Sequence, residues 1–297
     1  MQRYTFNDFN RDFPTDESCL HWLVDNRWPE GITCPKCERV TKHHKATGRS
    51  VYACDSCGHH VSPMAGTIME HSSTPMRLWF YAMFLMASTR CGISAKQLER
   101  ELGVTYKTAW RMFKQIRSML AEDITLEGSS VEIDATFVGG KAKNMHKSKR
   151  EKLGGRGTVG KTAVLGMVER QGPVVTVIVG EESQSTVLPK VREKILPNSL
   201  VYPDEHAAYN PLKSMGYQHR RVHHAAKVYV QGDAHTNTIE GFWSLVKRGI
   251  GGVNHSVSEK YLQSYLNEYA FRYNRRDQER PMFEAFLGQI VASGKCE

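Results

Sequence analysis

The chain has 297 residues, a net charge of +9 and an apolar fraction of 40%, which is the composition of a folded soluble protein with room for one large domain or a few small ones. The positive balance favours a polyanionic partner such as nucleic acid over an acidic small molecule, because spread positive charge attracts phosphate at long range; a merely basic enzyme would carry the same balance. No stretch near the start combines a basic segment, an apolar run and a small-residue cleavage site, and the longest apolar run, Leu78 to Ala87, is half of the roughly 20 residues needed to cross a bilayer. The expectation is a cytosolic protein with no membrane partner.

In chain order, DESCLHWLVDNRW predicts a short helix with Asp16 as N-cap, Leu20, Leu23 and Val24 on one face, and Pro29 and Gly31 as stop signals. CPKC and CDSC follow in the arrangement C-x2-C-x16-C-x2-C, formed by Cys34, Cys37, Cys54 and Cys57, while Cys19, Cys91 and Cys296 are scattered. In a reducing compartment this spacing points to a metal site: four thiolates close a tetrahedral Zn2+ of the structural kind and leave no position open for catalysis. A redox CxxC is the alternative, but it needs no second copy. His59 and His60 lie close enough in sequence to substitute as ligands. So short a segment needs the metal in order to fold.

From Ser73 to about Leu120 the apolar spacing is helical. Within it, ISAKQLERELGVTYKTAWRMFKQIRSML reads as a helix, a turn at Gly103 and a second helix from near Thr105, the layout of a helix-turn-helix. Ile93, Leu98 and Leu102 form the packing face of the first helix, and Ala109, Met112, Phe113 and Ile116 that of the second. Tyr106, Lys107, Thr108, Arg111 and Lys114 fall largely on the outer face, where a recognition helix meets a major groove. A plain helical hairpin has the same pattern.

After Glu127, SSVEIDATFVGG, KTAVLGMVER and PVVTVIVG read as strands, the last two joined at Gln171-Gly172, and ESQSTVLPKVREKI reads as a helix. SLVYPDEHAAY is a strand running into a turn, and GYQHRRVHHAAKVYV is mixed and extended. The pattern predicts a mixed sheet flanked by helices. Between the first two strands, KAKNMHKSKREKLGGRGTVGK holds eight Lys and Arg and one acidic residue; it is either a solvated loop or a segment that orders on phosphate backbone. SVSEKYLQSYLNEYAFRYNRR predicts a last helix opened by a Ser256/Glu259 capping box, with Tyr261, Leu262, Tyr265, Leu266, Tyr269 and Tyr273 as a core stripe rather than a base-stacking platform.

Three acids stand at D-x69-D-x35-E: Asp134 within VEIDATF, Asp204 within VYPDEHAAY, and Glu240 within HTNTIEGFWSLVKRG, with Lys247 following at E-x6-K. Each has an ordinary reading. Asp134 could face water with Glu132, Asp204 could be a turn residue or an N-cap, and Asn237 with Glu240 could be a capping box. Together, beside two candidate nucleic-acid modules, they suit metal-assisted phosphoryl transfer. Hard carboxylate oxygens suit Mg2+, and two such ions about 3.5 to 4 Å apart activate the attacking water or 3′-hydroxyl and stabilise the leaving oxygen. Without metal these acids would repel one another.

These segments resemble the DDE-type transposases of bacterial insertion sequences, in the group with an N-terminal zinc ribbon and a ribonuclease-H-like catalytic domain. The resemblance runs over nearly the whole chain: CPKC, CDSCG with AGTIM, the helix-turn-helix, IDATFVGGK, VYPDEHAAY and HTNTIEGFWSLVKRG. It implies a multidomain α/β protein divided as 1–70 (helix and ribbon), 71–125 (helix-turn-helix) and 126–297 (catalytic). It further implies Asp134 and Asp204 as the first two acids, and Glu240 or Asn237 as the third ligand of Mg2+ or Mn2+. Charge and the x35 spacing favour Glu240, leaving Asn237 as a cap or an outer-shell residue. Lys247, and Arg248 beside it, would contact DNA phosphate.

The implied activity is binding of terminal inverted repeats, hydrolytic nicking of strand ends and joining of 3′-hydroxyls to target DNA, with at least a homodimer assembled on double-stranded DNA. A DNA-binding regulator that no longer cuts, and a ribonuclease or Holliday-junction nuclease on the same fold, are the competing readings. The arginine cluster that a tyrosine or serine recombinase requires does not stand out.

Overall fold

The computed structural model describes residues 3–128, 130–140, 160–203, 206–219 and 236–293. They fall into two compact units: Met1–Leu120 with Gln278–Glu297, and Ala121–Asp277. The sequence division placed everything after residue 125 together, whereas the chain from Gln278 onward groups with the first unit.

In the first unit, α1 (Phe6–Asp12) opens with a reciprocal Thr5/Asp8 capping box. Helix α2 (Asp16–Arg27) is capped by Thr15, not by Asp16. Asp16 instead reaches across the chain, where its Oδ1 accepts the Arg77 N–H at 2.8 Å. That amide belongs to the first turn of α3 (Met76–Ser88), whose own N-cap, Pro75, makes no side-chain bond. A carboxylate there satisfies an orphan donor and meets the positive end of the helix dipole.

Between α2 and α3 lie the short strands β1 (Thr33–Cys34), β2 (Arg39–Val40), β3 (His43–Lys45), β4 (Tyr52–Cys54) and β5 (His60–Val61). β1 and β2 form an antiparallel pair, and β3, β4 and β5 form a three-stranded antiparallel sheet. Helices α4 (Ala95–Leu102) and α5 (Tyr106–Ser118) are joined through Gly103, which holds a left-handed φ of 64°, and are capped by Ser94 and Thr105. The packing residues read from periodicity, Ile93, Leu98, Leu102, Ala109, Met112, Phe113 and Ile116, are all buried.

The second unit is built on a five-stranded sheet. β6 (Ser130–Val138), β7 (Thr162–Glu169) and β8 (Val174–Val179) form an antiparallel meander. After α6 (Gln184–Lys194) the chain re-enters as β9 (Leu200–Pro203), parallel to β6, and then β10 (Gln218–His219), parallel to β9, giving the order β10-β9-β6-β7-β8.

Alternation sends Val131 and Ile133 into a core with Leu165, Met167, Val187 and Val191. On the opposite face Val164 and Val168 pack under α7 (Asn237–Gly249) and α8 (Glu259–Asn274). Helix α7 buries Ile239, Phe242, Trp243 and Val246, and continues into a π-turn at Ile250–Asn254. The cap of α8 is Ser258, so the expected Ser256/Glu259 box is not formed. Of the expected core stripe, Leu262, Leu266 and Tyr269 are buried and Tyr273 packs half-buried against them, while Tyr261 and Tyr265 are half-buried.

The last helix, α9 (Met282–Ser293), belongs to the first unit. Its Phe283 ring lies 5.9 Å from Phe9, 5.9 Å from Phe13 and 5.7 Å from Phe84. Among the described residues no helix is long and apolar enough to cross a membrane.

Candidate metal centre and catalytic face

The four ribbon cysteines converge. Their sulfurs lie within 4.8 Å of one another, with Cys34 to Cys57 at 3.6 Å and Cys37 to Cys54 at 3.9 Å. Four sulfurs at the usual Zn–S length of about 2.3 Å stand about 3.8 Å apart on the edges of a tetrahedron, so the cluster fits zinc.

Two equivalent knuckles create it. The Glu38 N–H donates to the Cys34 carbonyl at 2.8 Å and the Gly58 N–H to the Cys54 carbonyl at 2.8 Å. Both residues that follow the second cysteine are left-handed, Glu38 at φ 55° and Gly58 at φ 67°. Contact with the Thr41 hydroxyl at 3.1 Å, reinforced by backbone donors, lowers the Cys54 thiol to about 5. Hydrogen bonding to the neighbouring Cys57, followed by burial and the nearby Cys34 and Cys54, pushes Cys37 up to about 12. His59 and His60 are exposed and stand outside the cluster.

On α5, Tyr106, Lys107 and Lys114 are exposed, and Lys114 Nζ lies 5.8 Å from the Trp110 ring. Thr108 closes the first turn through Thr105. Arg111 departs from the outer-face expectation. Its Nη2 donates to Ser72 Oγ at 3.1 Å and Thr74 Oγ1 at 3.3 Å, and its guanidinium lies over Trp79. Helical phase alone set it outward, but a long side chain can fold back over neighbouring apolar surface.

In the second unit Asp134 sits mid-strand on β6, directly paired with Gly166 of β7. Opposed residues on an antiparallel pair share a face. A Cβ on Gly166 would lie 2.4 Å from Trp243 Cζ2 and 2.9 Å from Ile239 Cδ1, so Asp134 is on the side covered by α7, half-buried. Glu240 is exposed one turn into α7, and its Oε1 accepts the Thr236 hydroxyl at 3.0 Å. Asn237, Glu240, Ser244, Lys247 and Arg248 form one exposed stripe opposite the buried residues of that helix. Lys247 also lines a pocket of about 220 Å³ with Val138, Gly139, Ile250 and His255. Asp204 and nearly all of the basic segment between β6 and β7 lie outside the described residues.

The alternative in which it faces water does not hold for Glu132. It is fully buried and caps α7 from the sheet: Oε2 accepts the N–H groups of Thr238 at 2.9 Å and Ile239 at 3.0 Å, and Oε1 accepts the Thr238 hydroxyl at 3.0 Å. Arg170 Nε donates to Oε1 at 2.9 Å. The Asn237/Glu240 capping box is therefore replaced by a carboxylate distant in sequence. The signal for it was present, since period-2 alternation puts Glu132 on the same face as Asp134; the covering helix was not visible from the strand alone.

Residues 14–60 match the transposase zinc-ribbon domain, and residues 125–274 match the ISXO2-like transposase domain, which spans about half of the chain and coincides closely with the second unit. The chain belongs to this transposase family. It is 30% identical over 276 residues to an uncharacterized protein in the transposable element ISH50 of Halobacterium salinarum, covering 88% of this chain and 92% of the relative. It is also 31% identical over 104 residues to an uncharacterized transposase-like protein of Haemophilus influenzae, covering 35% of this chain and 83% of that relative.

Proposed function

We propose that the chain is a working DDE-type transposase, acting in the cytoplasm on the double-stranded DNA of its own element. The ribbon and the α4–α5 pair, read as a helix-turn-helix, bind the terminal inverted repeats. The second unit, whose strand order we read as ribonuclease-H-like, cleaves the ends and transfers their 3′-hydroxyls to target DNA.

The observation that carries this reading is the way β6 is joined to both neighbouring acid-bearing segments. Ile133 pairs with Pro203, to which Asp204 is covalently attached, and Glu132 holds the first turn of the helix bearing Asn237 and Glu240. Neighbouring strands run about 4.8 Å apart and consecutive Cα atoms about 3.8 Å, a spacing that suits carboxylates sharing one pair of ions.

In this reading Asp134, Asp204 and Glu240 hold Mg2+ or Mn2+, and Asn237 takes an outer-shell role. When bound, the ions supply Lewis-acid activation of the attacking oxygen and charge neutralisation at the leaving oxygen. Lys247 and Arg248, on the same exposed stripe as Glu240, bind phosphate. Joining two ends calls for at least a dimer assembled on DNA.

The test is incubation of the full-length protein with a duplex carrying the element's terminal repeat, with Mg2+ or with EDTA. Metal-dependent nicking at the repeat boundary supports the reading. Binding without nicking under any divalent ion supports the regulator instead.

A further inference from the structure

Buried Glu132 and Tyr202, with the half-buried Arg170 between them, form a relay that joins β6, β9 and the first turn of α7. Glu132 stands two residues before Asp134 on β6 and is paired with Tyr202 on the parallel strand β9. Tyr202, itself buried, stands two residues before Asp204 in sequence. The Arg170 guanidinium lies 4.1 Å from the Tyr202 ring centroid while its Nε holds Glu132 at 2.9 Å. The Glu132 carboxylate also accepts from Thr238 and Ile239, directly before Glu240.

A buried carboxylate is costly, and apolar packing would seat a helix on a sheet without one. What this one adds is register. Helix α7 cannot slide along or rotate about its axis without breaking two N–H bonds to a charge. Nor can β6 shift without pulling on Arg170 and, through it, on β9.

We infer that Glu132 is a positioning residue: braced by Arg170, it fixes through its bonds to Thr238 and Ile239 the separation of Asp134 on β6 from Glu240 on α7, and so sets the affinity for the divalent ion. This rests on the transposase reading given above. Outer-shell partners that orient metal ligands are worth about 10- to 100-fold in metal affinity or activity when removed.

The test compares full-length wild type, Glu132→Gln, Glu132→Asp, Thr238→Val and Asp134→Asn. Four quantities are measured: Mn2+ binding by electron paramagnetic resonance, Mg2+ half-saturation of terminal-repeat cleavage, hydrogen exchange of the peptide spanning residues 236–249, and thermal unfolding. Glu132→Gln is expected to weaken Mn2+ binding and raise the Mg2+ requirement by about tenfold or more, with faster exchange in α7, at temperatures where the protein stays folded. Glu132→Asp, which keeps the charge on a shorter arm, should recover part of the loss.

A merely structural role would lower the melting temperature and the active fraction while leaving both metal affinities at the wild-type value; that outcome overturns the inference. If Glu132→Gln does not fold, Thr238→Val, which removes only the hydroxyl bond, decides the matter by the same two affinities. If wild type fails to cut, or Asp134→Asn cuts as well as wild type, it is the transposase reading that falls.

Discussion

Gly166 of β7 lies directly beneath the indole of Trp243, with room for no more than hydrogen: an added Cβ would sit 2.4 Å from the ring. Because Gly166 is the partner of Asp134, this close approach sets how near α7 comes to the acid-bearing strand. Gly166→Ala forces the helix outward and is expected to cost about 1–3 kcal/mol as overpacking. Terminal-repeat cleavage should fall further than DNA binding, measured on the same preparation. Equal losses in both would mean that the helix position is irrelevant to chemistry.

The ribbon should depend on its metal. Cys34→Ser removes one of four sulfurs from the cluster, and the expected result is loss of bound zinc, local unfolding of the ribbon and weakened end binding, while the sheet unit keeps its own unfolding transition. Metal analysis by mass spectrometry with circular dichroism before and after chelation checks this. Unchanged zinc content in Cys34→Ser would refute the assignment.

Glu38 occupies the left-handed position that Gly58 fills in the other knuckle. A non-glycine residue there carries a penalty of about 1–2 kcal/mol, partly offset by the greater unfolded-state freedom of glycine. Glu38→Gly should therefore raise the ribbon's resistance to chelator-induced unfolding by about 0.5–1 kcal/mol. A drop in stability would show that the Glu38 side chain contributes more than its backbone strain costs.

Two basic residues of α5 should behave differently. Lys107 is exposed, so Lys107→Ala is expected to weaken DNA binding with little sequence dependence and to reduce the salt slope by about one. Arg111 is tied to Ser72, Thr74 and Trp79, so Arg111→Ala should lower stability by about 1–2 kcal/mol and alter the salt slope less. Titrations at several salt concentrations, with thermal melts, separate the two.

Legibility in the sequence followed the range of the interaction. The ribbon could be read because a C-x2-C turn carries its own geometry, and the buried face of α7 because Ile239, Phe242, Trp243 and Val246 repeat at helical spacing. The α4–α5 cores could be read for the same reason. Caps supplied across the chain could not. Asp16 serves a helix 61 residues away and Glu132 one 106 residues away, and a local pattern assigns such acids to the nearest helix or to water. The sequence pattern predicts its last helix before residue 276, so α9 is an addition of the structure, and its packing against Phe9 and Phe84 joins the two ends of the described chain, which no local pattern shows.

The most direct test of the proposed chemistry is a paired assay on Asp134→Asn, which removes one charge from the face beneath α7 without changing its shape. Binding to a terminal-repeat duplex should match the wild type, and Mg2+-dependent cleavage of that duplex should fall by a factor of about a thousand or more, a loss of some 4 kcal/mol in transition-state stabilisation. Cleavage at the wild-type rate by Asp134→Asn would contradict the account and move the nuclease centre away from this strand.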